Sequence, residues 1–277
     1  MKRFLTLFKI EGKLALRCPD GIIFGVIMPV GILFLIGFIA KDQQAGNSGY
    51  TFMQSAFSSL ITIGICATAF MGLPMTFSDY RDKKILKHFF VTPVSPRVLL
   101  LVETLIAALT AIVSACMISL CAILFFDYHM EGNPFLFLGA YVFVLFSMYG
   151  IGMIIAGLSP SLKVTNIICS VVYFPMLFLS GATIPYELFP SPLQHIADVL
   201  PLTQGIHVLK DVSMGIWNEQ TLLAVGILLL IGILGYQIAI RLFRWDLQKE
   251  DADGTELPLY RKRGTLLLPY WNVCANE

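Results

Sequence analysis

Charge is scarce in this sequence. Asp, Glu, Lys and Arg make up 13% of its 277 residues, about half of the ~25% usual in soluble domains. So few charges cannot cover a water-facing surface. With 57% hydrophobic residues, the chain reads as a membrane protein. Nucleotide chemistry is missing too. No Gly-x-x-x-x-Gly-Lys-Ser/Thr loop occurs, so nothing here cradles ATP phosphates, and this chain is not expected to be an enzyme. His-Glu-x-x-His and Gly-x-Ser-x-Gly are also absent, which removes the zinc-protease and hydrolase readings. Neither the four histidines nor the six cysteines fall at metal-ligand spacing, and no cofactor is expected in this chain. Cys66, Cys116, Cys121 and Cys169 lie in apolar runs and read as small buried hydrophobes, not as a disulfide framework. A net charge of +1 gives no basic surface for nucleic acid.

What the chain has is long apolar runs. About 20 apolar residues cross a hydrocarbon core of about 30 Å. Residues 21–40, 54–77, 98–126, 132–162, 164–186 and 221–240 each supply such a run. They predict an all-α, polytopic fold with six transmembrane helices. Residues 1–17 place Phe4, Leu7, Phe8 and Leu14 near one side and basic residues mostly elsewhere. That pattern predicts an amphipathic helix lying along the membrane interface, in contact with lipid. No small-x-small site closes the first apolar run, so an uncleaved span is expected. Residues 1–245 form the transmembrane domain, and 246–277 a polar cytoplasmic tail without helical period. Glu103 is the one charge in the third span. An ionisable group at that depth is a functional candidate, although it could reach the interface or pair with Arg97. Asn166 and Tyr173 are polar groups in the fifth span that could line a path or bond to neighbouring spans. The second span is rich in Ser, Thr, Gly and Ala, which suits close helix packing or a place beside a path.

Two stretches interrupt this regularity. Residues 79–97 carry Arg81, Lys83, Lys84, Lys87 and Arg97. Within that basic loop, Ile85 and Phe89 are four apart, as are Leu86 and Phe90. On a helix these pairs form one apolar ridge. The second stretch follows the fifth span, which breaks at Ser180-Gly181 and Pro185. Pro190 and Pro192 bracket Ser191, then a short amphipathic piece ends at Pro201, and a second one runs from 203 to 214. Unpaired backbone is costly inside lipid, so this region lies at the outer interface or folds back inside protein.

The second stretch, FLSGATIPYELFPSPLQHIADVLPLTQGIHVLKDVSMG, resembles the signature of the ABC-2 type permeases, the membrane subunits of ATP-driven exporters. Ser180, Gly181, Pro185, Phe189, Pro190, Leu193, Gln194, Ile196, Ala197, Leu200, Pro201, Leu202, Thr203 and Gly215 stand at the family's positions. Lys210 or its neighbours stand where many members have arginine. The resemblance implies an outer re-entrant helical element between spans 5 and 6, with Ser180, Gly181, Pro185, Phe189, Pro190, Gln194 and Pro201 forming an outer gate. It also implies that the first stretch is a coupling helix docking on an ATPase subunit. Arg81, Asp82, Leu86, Thr92 and Pro93 fit the family's pattern there, with Ile85, Phe89 and Phe90 on the docking ridge. Lys84 stands where glycine is usual. The competing reading of that loop is a charged segment that only sets topology.

All but Lys41 and Lys210 of the 19 Lys and Arg fall on the side holding both termini. By the positive-inside rule both termini are cytoplasmic in the cell membrane. The resemblance implies two copies of a separate ATPase that binds ATP and Mg, and a homodimer or a paralogous permease as second half. Spans 2 and 5 are then candidate walls of the path, which suits a hydrophobic or amphiphilic substrate. Alternatives are a non-transport scaffold or immunity-type protein, and a polysaccharide or lipid-linked glycan exporter.

Overall fold

The computed structural model describes residues 2–16, 23–40, 52–83, 96–183, 186, 189–216 and 218–242. The expectations for Ile85, Leu86, Phe89, Phe90, Thr92, Pro93, Pro185 and the tail 246–277 lie outside these residues. The described residues are helical apart from turns. In chain order the helices are α1 (Lys2–Ala15), α2 (Met28–Ala40), α3 (Phe52–Ala67), α4 (Leu73–Asp82), α5 (Pro96–Phe126), α6 (Pro134–Leu158), α7 (Leu162–Leu179), α8 (Ser191–Asp198), α9 (Pro201–Met214) and α10 (Glu219–Leu242). A π-helical turn, Ile23–Ile27, leads into α2, and another, Thr68–Gly72, joins α3 to α4.

Five runs are long and apolar enough to cross a membrane: Met53–Asp82, Val98–Phe126, Pro134–Leu158, Leu162–Leu179 and Glu219–Ala239. A sixth, Ile23–Ile39, is shorter. The fold is therefore an all-α, polytopic membrane protein. One boundary differs from expectation: the second span runs on to Asp82 as helix. The fifth ends at Leu179, where the Ser180-Gly181 break was expected.

Local sequence explains the main features. Pro74 lacks the N–H that would bond back to Phe70, and the wide turn Thr68–Gly72 sits immediately before it. Asn133 opens α6, its side chain accepting from Phe135 N at 2.9 Å ahead of Pro134. Gly215 closes α9 at φ 71°, where a residue with a Cβ is strained. Ile216 N donates to Asp211 O at 2.9 Å and Gly215 N to Val212 O at 3.3 Å, which satisfies carbonyls that the helix end would leave open.

The α3–α4 span is the hub, with its most apolar window 89% buried, against 28% for α7 and for α10. Its Phe57, Leu60, Ile61, Ile65, Phe70 and Phe77 form the centre of the core with Tyr149 of α6 and Tyr173 of α7. Small residues let the other helices approach. A Cβ on Gly152 would collide with the carbonyl of Ala69 in the π turn. One on Gly235 of α10 would stand 2.7 Å from the carbonyl carbon of Gly150 of α6. Such contacts hold helices together in lipid, where tails are as apolar as leucine. Cys66, Cys121 and Cys169 are buried as expected, whereas Cys116 is exposed on the outer face of α5.

Candidate functional site

The break after α7 forms a tight turn tied to the hub. Ser180 is fully buried, and its N–H donates to Met176 O at 3.1 Å. Gly181 takes φ 82°. Its carbonyl accepts from Ser59 of α3 at 3.3 Å, and Thr183 donates back to Leu177 O at 3.1 Å. Buried Phe189 and half-buried Gln194 continue the turn, with Gln194 donating to Phe189 O at 3.1 Å and to Tyr186 O at 3.4 Å. Pro190 and Pro201 stand at the starts of α8 and α9, where a missing N–H costs nothing. Tyr186 donates to Asp198 at 2.8 Å and Gln204 to the Asp198 carbonyl at 2.7 Å, which fixes the angle between α8 and α9.

From there α9 packs among α3, α6 and α10 through Leu202, Ile206, Leu209 and Val212. Polar contacts secure its end. Lys210 donates to Ser55 at 3.0 Å, and Ser58 and Ser213 share a hydrogen bond of 3.1 Å. Of the broken stretch, α9 thus packs against protein, while α8 keeps most of its residues exposed. The turn residues Gly181, Ala182 and Thr183 meet Ile36 of α2 and Ser55, Ala56 and Ser59 of α3 around a small cleft. His195 is exposed on α8 and does not line the cleft.

At the far end of the hub, Arg81 and Asp82 face a neighbouring turn. Arg81 donates to the Ser159 carbonyl and, at 3.2 Å, to the Ala156 carbonyl, both at the C-terminus of α6. Asp82 accepts from Leu162 N at 2.8 Å, at the N-terminus of α7. A cation thus meets one helix C-terminus and an anion the next N-terminus, each the sign favoured by the helix dipole. Below them Ser78 and Thr165 share a hydrogen bond. The last turn of α4 is therefore joined to both α6 and α7.

Glu103 meets neither solvent nor a cation among the described residues. Tyr80 Oη stands 2.8 Å from Glu103 Oε1 and 2.7 Å from Glu11 Oε2. The three side chains are buried and join α5, α4 and α1. Around them pack Leu7, Leu99, Val102 and Ile106, with Phe4, Phe8, Ala15 and Val98 at the edge. Thus α1 lies against protein on that side, while Leu5, Ile10 and Leu14 are exposed. Burial pushes the Glu11 carboxyl above its ordinary pKa. Asn166 is exposed and accepts from Ser170 at 3.4 Å, whereas Tyr173 is buried in the core. The structure does not bring Glu103, Asn166 and Tyr173 together.

Sequence reasoning missed Glu11 and Tyr80. A signal existed: Phe4, Leu7, Phe8, Glu11 and Ala15 follow helical spacing, which puts an acid on the apolar stripe. Among the described residues no three His, Cys, Asp or Glu converge as metal ligands.

Comparison with known proteins gives a consistent answer. The profile of the ABC-2 type transporter family matches residues 2–212. Nodulation protein J of Neorhizobium galegae is 26% identical over 237 residues, 82% of this chain and 86% of that protein. Nodulation protein J of Rhizobium meliloti is 31% identical over 94 residues, 34% of this chain and 36% of that protein. The match to Nodulation protein J of Bradyrhizobium diazoefficiens has the same extent and identity. These two matches span about a third of their relatives' length.

Proposed function

Because this chain belongs to the ABC-2 type transporter family, we propose that it is the permease subunit of an ATP-driven exporter. A separate ATPase subunit, in two copies, supplies the energy by binding ATP and Mg. A second permease, identical or paralogous, completes the membrane core. The family profile, which runs across most of the chain, carries this reading.

The geometry supports a division of labour. By the positive-inside rule the end with Arg81 and Asp82 is cytoplasmic and the turn at Gly181 is outside. The segment 84–95 then meets the ATPase. Movement there pulls on α4, and through Arg81 and Asp82 on the ends of α6 and α7. Since α7 carries the Ser180–Gly181 turn at its other end, a shift of α7 opens or closes the outer cleft. The mostly apolar spans suit a hydrophobic or amphiphilic substrate. The outward Ile167, Val171, Phe174 and Phe178 of α7 suit lipid or the second permease.

Docking can be tested by co-purifying the ATPase subunit with wild type, Phe89→Ala and Lys84→Ala, at equal membrane insertion. Burying an aromatic ring is worth about 2 kcal/mol, which corresponds to about thirtyfold in affinity. Phe89→Ala is expected to lose the ATPase. Lys84→Ala is expected to keep it, because a rim charge acts mainly on encounter rate. Full retention by Phe89→Ala, with normal substrate-stimulated hydrolysis, would remove the docking assignment.

A further inference from the structure

The buried trio of Glu11, Tyr80 and Glu103 is not used by the transport scheme above. A phenol has one hydroxyl proton and can donate it to one acceptor. Yet Tyr80 Oη lies within hydrogen-bond distance of both carboxyls, at 2.7 and 2.8 Å. The second contact is a hydrogen bond only if that carboxyl carries a proton and donates it to Tyr80. Two ionised carboxylates here would share one donor in an apolar pocket, with a like charge beside each.

Among the residues whose side chains are described, the charged groups in reach are engaged or turned away. On α4, Arg81 is held by carbonyls of α6, Asp82 by the Leu162 amide, and Lys83 pairs with Asp79 at 2.9 Å. On α1, Lys9 and Lys13 are exposed. On α5, Glu103 is the charged group facing the pocket among residues whose side chains are described.

We propose that one shared proton latches α1 onto α4 and α5, and that its loss as pH rises releases this helix. The two carboxyls titrate as a pair, with the proton belonging to both. Burial raises Glu11 from its ordinary value, in keeping with a proton retained. Sequence position puts the latch at the start of the chain, two residues before Asp82 on α4, so α1 registers local pH beside the α6–α7 turn. The inference rests on geometry and does not depend on the exporter reading.

The test uses the full chain in lipid nanodiscs, with native cysteines replaced and nitroxides at exposed Ile10 on α1 and Leu105 on α5. The distance between labels is read from about pH 5 to about pH 9, a range that spans carboxyls raised by burial. Wild type is expected to hold one short distance at low pH and to lose that population as pH rises. In Glu103→Gln the amide donates to Tyr80 Oη and Tyr80 donates to Glu11, so no extra proton is needed. This variant is expected to keep the short distance throughout. A wild-type distance unchanged with pH, or a Glu103→Gln response equal to wild type, would overturn the proposal. Infrared difference spectra give a second readout that does not require the single variant to fold. Wild type at about pH 5, the low end of that range, is expected to show a protonated-carboxyl stretch that Glu11→Gln/Glu103→Gln lacks. Absence of that band from wild type would also overturn it.

Discussion

Tyr80 shows how much one side chain can settle at the scale of a residue. Its hydroxyl is the common partner of two buried acids, so Tyr80→Phe leaves both short of a partner. A buried polar group left unpaired costs about 1–3 kcal/mol. Thermal unfolding of the purified variant is expected to show a loss of that order. Glu11 gives this site a pH sign. Its pKa is raised by burial, so the folded state holds the proton more tightly than the unfolded chain. The stability it contributes is full below the unfolded value of about 4.3 and is lost as pH rises through the raised value. Melting temperature is expected to fall over that rise in wild type and to vary less in Glu11→Gln. Gly152 is a second residue with one permitted identity. Since a Cβ there meets the Ala69 carbonyl, Gly152→Leu is expected to push α6 off the hub, read as loss of monodisperse protein on extraction.

The turn closing α7 belongs to the scale of the element. Gly181 at φ 82° lets the chain reverse, and a residue with a Cβ adds about 1–2 kcal/mol of strain there. Gly181→Leu is expected to impair export while the ATPase subunit still co-purifies; normal transport would mean that the turn is only structural. This break was legible in the sequence because Ser-Gly followed by proline is turn chemistry that a helix cannot absorb. The long apolar helices were legible for the same reason that they exist, since lipid tolerates no unpaired backbone. Other elements were hidden by their own charges. Asp79, Arg81 and Asp82 read as a loop, yet they are the last turn of α4. Contacts with helix ends far along the chain hold Arg81 and Asp82, and no local pattern announces those. The side of α1 that packs on protein was hidden in another way. Phe4, Leu7 and Phe8 suit lipid and protein equally, and only Glu11 separates the two.

For the whole molecule, the charge asymmetry predicts one orientation. Reporters fused at Asn47, His129 and Gly215 are expected to read outside, and those at Lys84, Lys163 and Asp253 inside. A cytoplasmic reading at Gly215 would require a different arrangement of α7, α8 and α9. The central position of α3–α4 also bears on how the protein is made. This span leaves the ribosome before α6, α7, α9 and α10, the helices that later enclose it. Its threonine hydroxyls do not need to wait for them. Thr62 donates to Ser58 O at 2.6 Å, Thr68 to Gly64 O at 3.1 Å and Thr76 to Gly72 O at 3.2 Å, all within the span's own backbone. Such back-bonding removes most of the penalty for a hydroxyl in lipid. A chain halted after Phe126 is therefore expected to insert this span fully, as glycosylation mapping would read, and a span left outside the bilayer would contradict it. The most enclosed helix of the finished protein is thus built to stand alone among lipids first, a nascent mast around which the later helices are raised.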